Sequence, residues 1–63
     1  MEYGDLVIVN HPRHPFYNYI GKIVGRRGKK APDDVLMLVL INNKSYIIPQ
    51  SMLSIYNPGT SDN

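Results

Sequence analysis

The chain has 63 residues, of which 43% are hydrophobic and none is cysteine, and its formal net charge at pH 7 is +2. This length predicts one domain with one small core, and the hydrophobic content excludes full disorder. Because disulfides and thiolate metal sites are also excluded, closing a barrel or pairing with a second copy remains as a way to gain stability.

Neither a targeting signal nor a membrane span is expected. The start MEYGDLVIV has no basic region and no long apolar stretch, so it does not resemble a signal peptide. The longest apolar run, VLMLVLI at residues 35–41, is too short for a transmembrane helix, which needs about 20 residues. These observations predict a soluble, cytoplasmic protein.

The first predicted elements are a short strand and a long loop. DLVIVN at residues 5–10 is apolar and β-branched, as strands are, and Gly4 before it indicates a turn. In HPRHPFYNY, residues 11–19, Pro12 and Pro15 each remove a backbone donor and prevent a regular ladder or helix. We predict a structured loop that carries aromatic side chains.

A second strand and a basic loop follow. IGKIVGR at residues 20–26 resumes strand character, and Gly21 and Gly25 indicate a bulge or a close backbone approach. RGKKAPDD at residues 27–34 has the composition of a loop. Five of the seven basic residues fall in or near this region, namely Lys22, Arg26, Arg27, Lys29 and Lys30.

The segment VLMLVLI, residues 35–41, is predicted to be a strand that is apolar on both faces. A short helix is the alternative, but the segment has no helix cap and is rich in β-branched residues. One face needs a cover, which the tail, the long loop or a homodimer through residues 35–41 would supply. The two faces carry Leu36, Leu38 and Leu40 on one side and Val35, Met37, Val39 and Ile41 on the other.

The remaining sequence predicts two strands with a single helical turn between them. Five short strands at regular spacing indicate an all-β barrel or sandwich, and a barrel also removes the exposed edges that favour aggregation. We therefore predict one five-stranded barrel over residues 1–57. Its last elements are a tight turn (42–44), a strand (45–48) ending at Pro49, a 3-10 turn (50–52), a strand (53–56) and a flexible tail (58–63).

This order of elements resembles that of the SH3-like barrels. YIIPQSML at residues 46–53 is similar to the Ile-Pro segment and helical turn that end eukaryotic SH3 domains, with Ile48 and Pro49 at the matching positions. The tryptophan and the aromatic motif of the SH3 peptide groove are both missing. The resemblance therefore implies the barrel and not the binding of polyproline peptides.

The first part of the chain resembles two further groups. GDLVIV at residues 4–9 and YIGKIVGR at residues 19–26 look like the opening of KOW modules in ribosomal proteins and transcription elongation factors, which implies contact with nucleic acid. HPRHPF at residues 11–16, followed by GKIV at 21–24, is similar to the variable chain of ferredoxin–thioredoxin reductase. The small barrel protein of photosystem I also has an aromatic-rich loop there, and both likenesses imply docking to a protein.

Two groups of side chains are candidates for binding. Cations bind phosphates: arginine binds through a planar fork and lysine as a point charge. The alternative interpretation is that these cations only form a solvated hairpin tip. Asp33 and Asp34 offset part of the positive electrostatic field of the basic side chains. Aromatic rings stack on nucleobases or anchor a protein partner. The candidates are Arg26, Arg27, Lys29, Lys30 and Lys22 in the basic group, and Tyr17, Tyr19, His11, His14 and Arg13 in the aromatic loop.

Metal binding and catalysis are not expected. His11 and His14 have only Asp5 as a nearby carboxylate, fewer than the four ligands of a structural zinc site. The serines have no partner base that the sequence reveals, and a domain this small has little room for a substrate cleft. We predict no catalytic residue, no metal and no cofactor, and we expect Phe16 in the core.

The sequence therefore predicts a non-enzymatic binding module. Its working surface is expected where the aromatic loop, residues 11–19, meets the basic loop, residues 26–30, because loops on a rigid sheet commonly carry function. The leading partner is nucleic acid or a ribonucleoprotein. The alternative is a protein-docking or regulatory accessory subunit that presents the same surface to an acidic protein.

Overall fold

The computed structural model describes residues 1–57; residues 58–63, for which a flexible tail is predicted, lie outside this range. None of the described residues forms a helix with the length and apolarity that crossing a membrane requires. The elements in chain order are β1 (Leu6–Val9), β2 (Ile20–Ala31), β3 (Asp34–Ile41), β4 (Lys44–Pro49), the 3-10 turn (Gln50–Met52) and β5 (Leu53–Ile55).

All five strands belong to one antiparallel sheet with the order β4-β3-β2-β1-β5. This confirms the predicted all-β fold with five strands and one 3-10 turn before the last strand. Among residues 1–57 no ladder joins β4 to β5, so the sheet is open between its two edge strands. The 3-10 turn carries the chain directly from one edge strand to the other.

The strand β2 is longer than predicted. Its ladder with β3 continues to the pair Ala31↔Asp34, so the predicted loop over residues 27–34 is wrong and the chain turns at residues 32–33 instead. Three register shifts interrupt this ladder, and bulges of this kind bend a strand and increase its twist. Polar, glycine-containing sequence indicated a loop, but ladder hydrogen bonds join backbone atoms and do not depend on apolar side chains.

The core lies on one face of the sheet, which we call the inner face. β3 contributes every second residue to it, because successive side chains of a strand point to opposite faces. Leu36, Leu38 and Leu40 consequently point outward and are only partly covered. The eight buried hydrophobic residues are Val7, Val9, Ile23, Met37, Val39, Ile41, Ile48 and Leu53.

Candidate nucleic-acid interface

The β2–β3 hairpin ends in a two-stranded ribbon at the edge of the sheet. β4 pairs with β3 no further than Leu36↔Pro49, so beyond this pair β2 and β3 are paired with each other. Every residue over the range 26–33 is exposed. We call residues 26–36 the basic ribbon, because this segment carries Arg26, Arg27, Lys29 and Lys30.

The pairing register distributes the cations along the basic ribbon. Arg26 lies opposite Met37 and Lys29 lies opposite Val35. Since directly paired residues share a face of the sheet, these two cations are on the inner face. Gly28 lies between them, where the register shifts, and has a φ of 109°, a conformation that other residues rarely adopt. This glycine therefore permits the bulge that separates the two cations.

Most cations of the basic ribbon form no salt bridge among the described residues, although the ribbon also carries Asp33 and Asp34. The one salt bridge among the described residues joins Arg26 Nη2 to Glu2 Oε1 at 3.9 Å, and the two side chains are 61% and 81% exposed. Exposed pairs of this kind contribute about 0–1 kcal/mol. Arg27, Lys29 and Lys30 form no salt bridge within residues 1–57 and are accessible to an anionic partner.

Asp34 attaches the tip of the basic ribbon to the 3-10 turn. The Ser51 hydroxyl donates to Asp34 Oδ2 at 2.8 Å, and the Ser51 backbone N–H donates to Asp34 Oδ1 at 3.0 Å. The hydroxyl hydrogen bond, then the backbone hydrogen bond, and to a smaller extent the charge of Lys30 hold the pKa of Asp34 below its ordinary value. The carboxylate therefore fixes the position of the ribbon relative to the 3-10 turn.

The aromatic loop, residues 11–19, is built from consecutive turns. The His14 N–H donates to the His11 carbonyl at 3.0 Å, and the Tyr17 N–H donates to the His14 carbonyl at 3.0 Å. A proline follows each histidine, at the position where turns favour it. Each histidine Nδ1 also accepts the backbone N–H two residues further on, at 3.3 and 3.0 Å. The two histidines therefore shape the loop backbone.

Phe16 is the centre of the packing in the aromatic loop. Its ring centroid lies 4.5 Å from that of Tyr46, 5.3 Å from Tyr19 and 5.8 Å from His14. Phe16 was expected in the core; it packs against the core but is only partly buried. Tyr17 and Tyr19 remain 44% and 45% exposed, so their rings are accessible to a partner.

The aromatic loop and the basic ribbon leave β2 at opposite ends. The six residue steps from Ile20 to Arg26 correspond to about 20 Å of extended strand. The 3-10 turn links the two segments, because the Met52 carbonyl accepts the Asn10 N–H at 2.9 Å while Ser51 binds Asp34 at the tip of the ribbon. Apart from Lys22, the predicted residues thus form two groups at opposite ends of this part of β2, joined through the 3-10 turn.

Lys22 lies apart from both groups, on the outer face of the sheet. Its cross-strand neighbours there are Leu6 on β1 and Leu40 on β3. The pairing register places further large aliphatic side chains on the same face. We call this surface the outer apolar face; its exposed members are Leu6 (38%), Ile20 (44%), Leu40 (37%) and Ile47 (51%).

One group of residues near the basic ribbon was not recognised from the sequence. The Gly4 N–H donates to the Ile23 carbonyl at 2.8 Å and brings the first residues of the chain against β2. Gly4 indicated a turn, but the local sequence contains no signal for what the turn would contact. The resulting cavity of about 240 Å³ is lined by Glu2, Tyr3, Ile23, Gly25 and Arg26.

Comparison of the chain with protein-family models, with curated proteins and with solved structures found no match. Over residues 1–57, no three His, Asp or Glu side chains are grouped so that they would hold a metal ion. The basic ribbon, the aromatic loop and the outer apolar face are therefore the candidate functional surfaces.

Proposed function

We propose that this protein is a small, non-enzymatic binding module with an SH3-like, KOW-like fold that contacts nucleic acid or a ribonucleoprotein through its basic ribbon. The observation that carries the proposal is the presence of four cations on one exposed two-stranded ribbon, with a single weak salt bridge at its base. A local cationic patch attracts a polyanion even though the net charge is only +2.

The shape of the ribbon suits a groove or a phosphate backbone. The major groove of B-form DNA admits a two-stranded β-ribbon. Arginine forks and lysine ammonium groups supply phosphate contacts on such a ribbon. Because the Asp34–Ser51 hydrogen bonds already hold the ribbon in place, less ordering is needed when a partner binds.

The aromatic loop has a supporting role in this proposal. Tyr17 and Tyr19 are accessible, and exposed rings stack on or brace the bases of a bound strand. Arg13 adds one more exposed cation to the loop, and His11 and His14 keep the loop in shape. Contacts of this kind carry little sequence specificity, since phosphates and base faces are common to all sequences.

The test compares two double variants that lower the net charge equally. Arg27→Ala/Lys29→Ala removes cations from the basic ribbon, whereas Lys22→Ala/Lys44→Ala removes cations from other parts of the sheet. Each variant is titrated with labelled single- and double-stranded oligonucleotides at low and at physiological salt. Each phosphate contact contributes about 0.9 to the slope of log K against log salt on duplex DNA, so the ribbon variant should lose about 1.8 of slope.

We expect weakened binding in the ribbon variant and wild-type binding in the control variant. The proposal fails if the wild-type protein does not bind at low salt, or if the two variants bind equally well. All four side chains are exposed, so both variants should keep their stability within about 0.5 kcal/mol, which thermal unfolding verifies.

The outer apolar face favours a second function, docking to an acidic protein partner as an accessory subunit. Contiguous exposed apolar patches on small proteins commonly mark interaction sites. Lys22, with Leu6 and Leu40 on either side, would face a carboxylate of the partner and speed association. In a pull-down from nuclease-treated lysate, a partner retained by wild type and lost by Leu40→Lys/Ile47→Lys supports docking. Loss of every partner after nuclease treatment contradicts it.

A further inference from the structure

The first residues of the chain form a turn beside the base of the basic ribbon. The Asp5 N–H donates to the Glu2 carbonyl at 3.0 Å and Gly4 has a φ of 92°, which together define a type II turn over residues 2–5. The Glu2 N–H also donates to Asp5 Oδ2 at 2.8 Å. Tyr3 is at the tip of this turn and is 77% exposed, with no ring contact within the described residues.

A cavity of about 240 Å³ is lined by residues of this turn and of β2. On the β2 side, Ile23 is buried in the core and Gly25 has no side chain to fill the space. The charged groups are the Glu2 carboxylate and the Arg26 guanidinium, which lie 3.9 Å apart and are both largely exposed. The cavity therefore combines an accessible ring, a hydrogen-bond acceptor and a cation.

These three properties match the chemistry of one nucleotide. A nucleobase has a flat π-face that stacks on aromatic rings and N–H donors on its edge, and the attached phosphate binds arginine. We propose that the cavity receives a single unpaired nucleotide, with its base against Tyr3 and its phosphate at Arg26. The inference rests on the proposed function, because Arg26 belongs to the basic ribbon, and it specifies the form of nucleic acid that the site takes.

The cavity distinguishes a single strand from a duplex. In a duplex both faces of a base are stacked and its edge is paired, so Tyr3 and Glu2 reach these groups only in an unpaired nucleotide. The same chemistry is present in a free mononucleotide. Such a ligand lacks the neighbouring phosphates that Arg27, Lys29 and Lys30 contact, so the two sources differ in affinity.

The test uses three probes and two substitutions of Tyr3. The probes are an oligocytidylate of about 12 nucleotides, within the usual site sizes of roughly 4–16, a duplex of the same length, and cytidine monophosphate. Tyr3→Ala should weaken oligocytidylate binding by about 5- to 150-fold, the contribution of one stacked base, and leave duplex binding within about 2-fold. Tyr3→Phe keeps the ring and should bind like wild type.

Unchanged oligocytidylate binding by Tyr3→Ala, or a wild-type preference for the duplex, overturns the inference but leaves the ribbon proposal standing if Arg27→Ala/Lys29→Ala still loses salt-sensitive binding. Failure of wild type to bind any probe at low salt overturns both. Ring-dependent binding of cytidine monophosphate as tight as that of the oligonucleotide supports the site and identifies the free nucleotide as its ligand. Binding of cytidine monophosphate that is much weaker than that of the oligocytidylate supports the site and identifies the single strand as its ligand.

Discussion

At Gly21, β2 passes so close to β3 that there is no room for a side chain. A methyl group at this position would lie 2.6 Å from Val39 Cγ1, 2.7 Å from Ile41 Cγ1 and 2.8 Å from the Leu40 carbonyl oxygen. The first two atoms belong to buried core residues and the third to the backbone of the central sheet, so none of them moves away easily. Glycine is required here because there is no room for a side chain, and not because of an unusual φ.

We therefore expect Gly21→Ala to destabilise the protein by about 1–3 kcal/mol, the usual cost of overpacking a core. In a domain of this size each kcal/mol lowers the Tm by about 4–8 °C. Gly25→Ala is the matched control, because its added methyl group would meet Leu38 atoms at 3.5 and 3.7 Å, ordinary contact distances. Urea unfolding of both variants measures the difference, and equal stabilities would contradict the prediction.

The Asp34 carboxylate makes the stability of the fold depend on pH. Because the pKa of Asp34 is lowered in the folded state, its contribution is present above the unfolded value of about 3.9 and is lost as the pH falls through the lowered value. Ser51→Ala removes the hydroxyl hydrogen bond, which is the largest cause of the shift. We expect this variant to raise the pKa of Asp34 and to be less stable than wild type above about pH 5.

An NMR titration of the Asp34 carboxyl group, combined with urea unfolding at several pH values, measures both effects. The stability difference between wild type and Ser51→Ala should shrink as Asp34 becomes protonated at low pH. Ser45→Ala is a control, because this serine is exposed on β4 and has no contact with Asp34. The interpretation is wrong if Ser51→Ala leaves the titration of Asp34 unchanged.

At the scale of elements, the aromatic loop depends on one ring. Phe16 connects the loop to Tyr46 on β4 and is only partly buried, so Phe16→Ala should cost about 2 kcal/mol, less than the roughly 3–5 kcal/mol of a fully buried phenylalanine. Tyr17→Ala, in the same loop but exposed, should change stability by no more than about 0.5 kcal/mol. Thermal unfolding distinguishes the two, and similar losses would show that Phe16 has no special role.

In the basic ribbon, β2 is longer than the sequence pattern predicted. Residues 27–31 extend β2 although they contain one glycine, three cations and one alanine. This polar composition does not end the strand, because β2 stays paired with β3. Each of the three bulges adds one extra residue to β2 and leaves the pairing on either side intact. The cations are thus held on a strand whose position is defined by its partner.

At the scale of the whole molecule, a small core coexists with an uncovered apolar surface. Eight hydrophobic residues are buried on the inner face, while Leu36, Leu38 and Leu40 remain on the outer face with partial exposure. A chain of this length buries only about 60% of the surface that it exposes when unfolded, so its stability is marginal. A second copy that covers the outer face would add apolar burial.

We propose that two copies associate weakly through the outer residues of the segment 35–41. A patch of a few hundred Å² on each copy falls below the total of about 1,200 Å² buried in stable interfaces. We therefore expect a monomer at about 10 μM and partial dimer at about 1 mM. Light scattering across this range tests the proposal with Leu40→Lys as the control that stays monomeric, and a constant monomer mass for wild type would rule it out.

The strands were largely predictable because their signals are local. β-branched and aliphatic runs mark β1, β3, β4 and β5, and Pro12 and Pro15 mark the loop between β1 and β2. The two faces of β3 were not distinguishable from the sequence, since both are aliphatic. The side on which Met37 is buried follows only from the way the sheet curves around its core.

The sequence by itself determined which segments are extended, where the prolines interrupt them and that the cations cluster, because each of these properties depends on neighbouring residues alone. Only the tertiary structure decided that the cations lie on a paired ribbon, that Asp34 binds Ser51 across 17 positions and that Tyr3 lies beside Arg26. These contacts join residues far apart in the chain, and they form only when the ladders and bulges of the sheet bring them together.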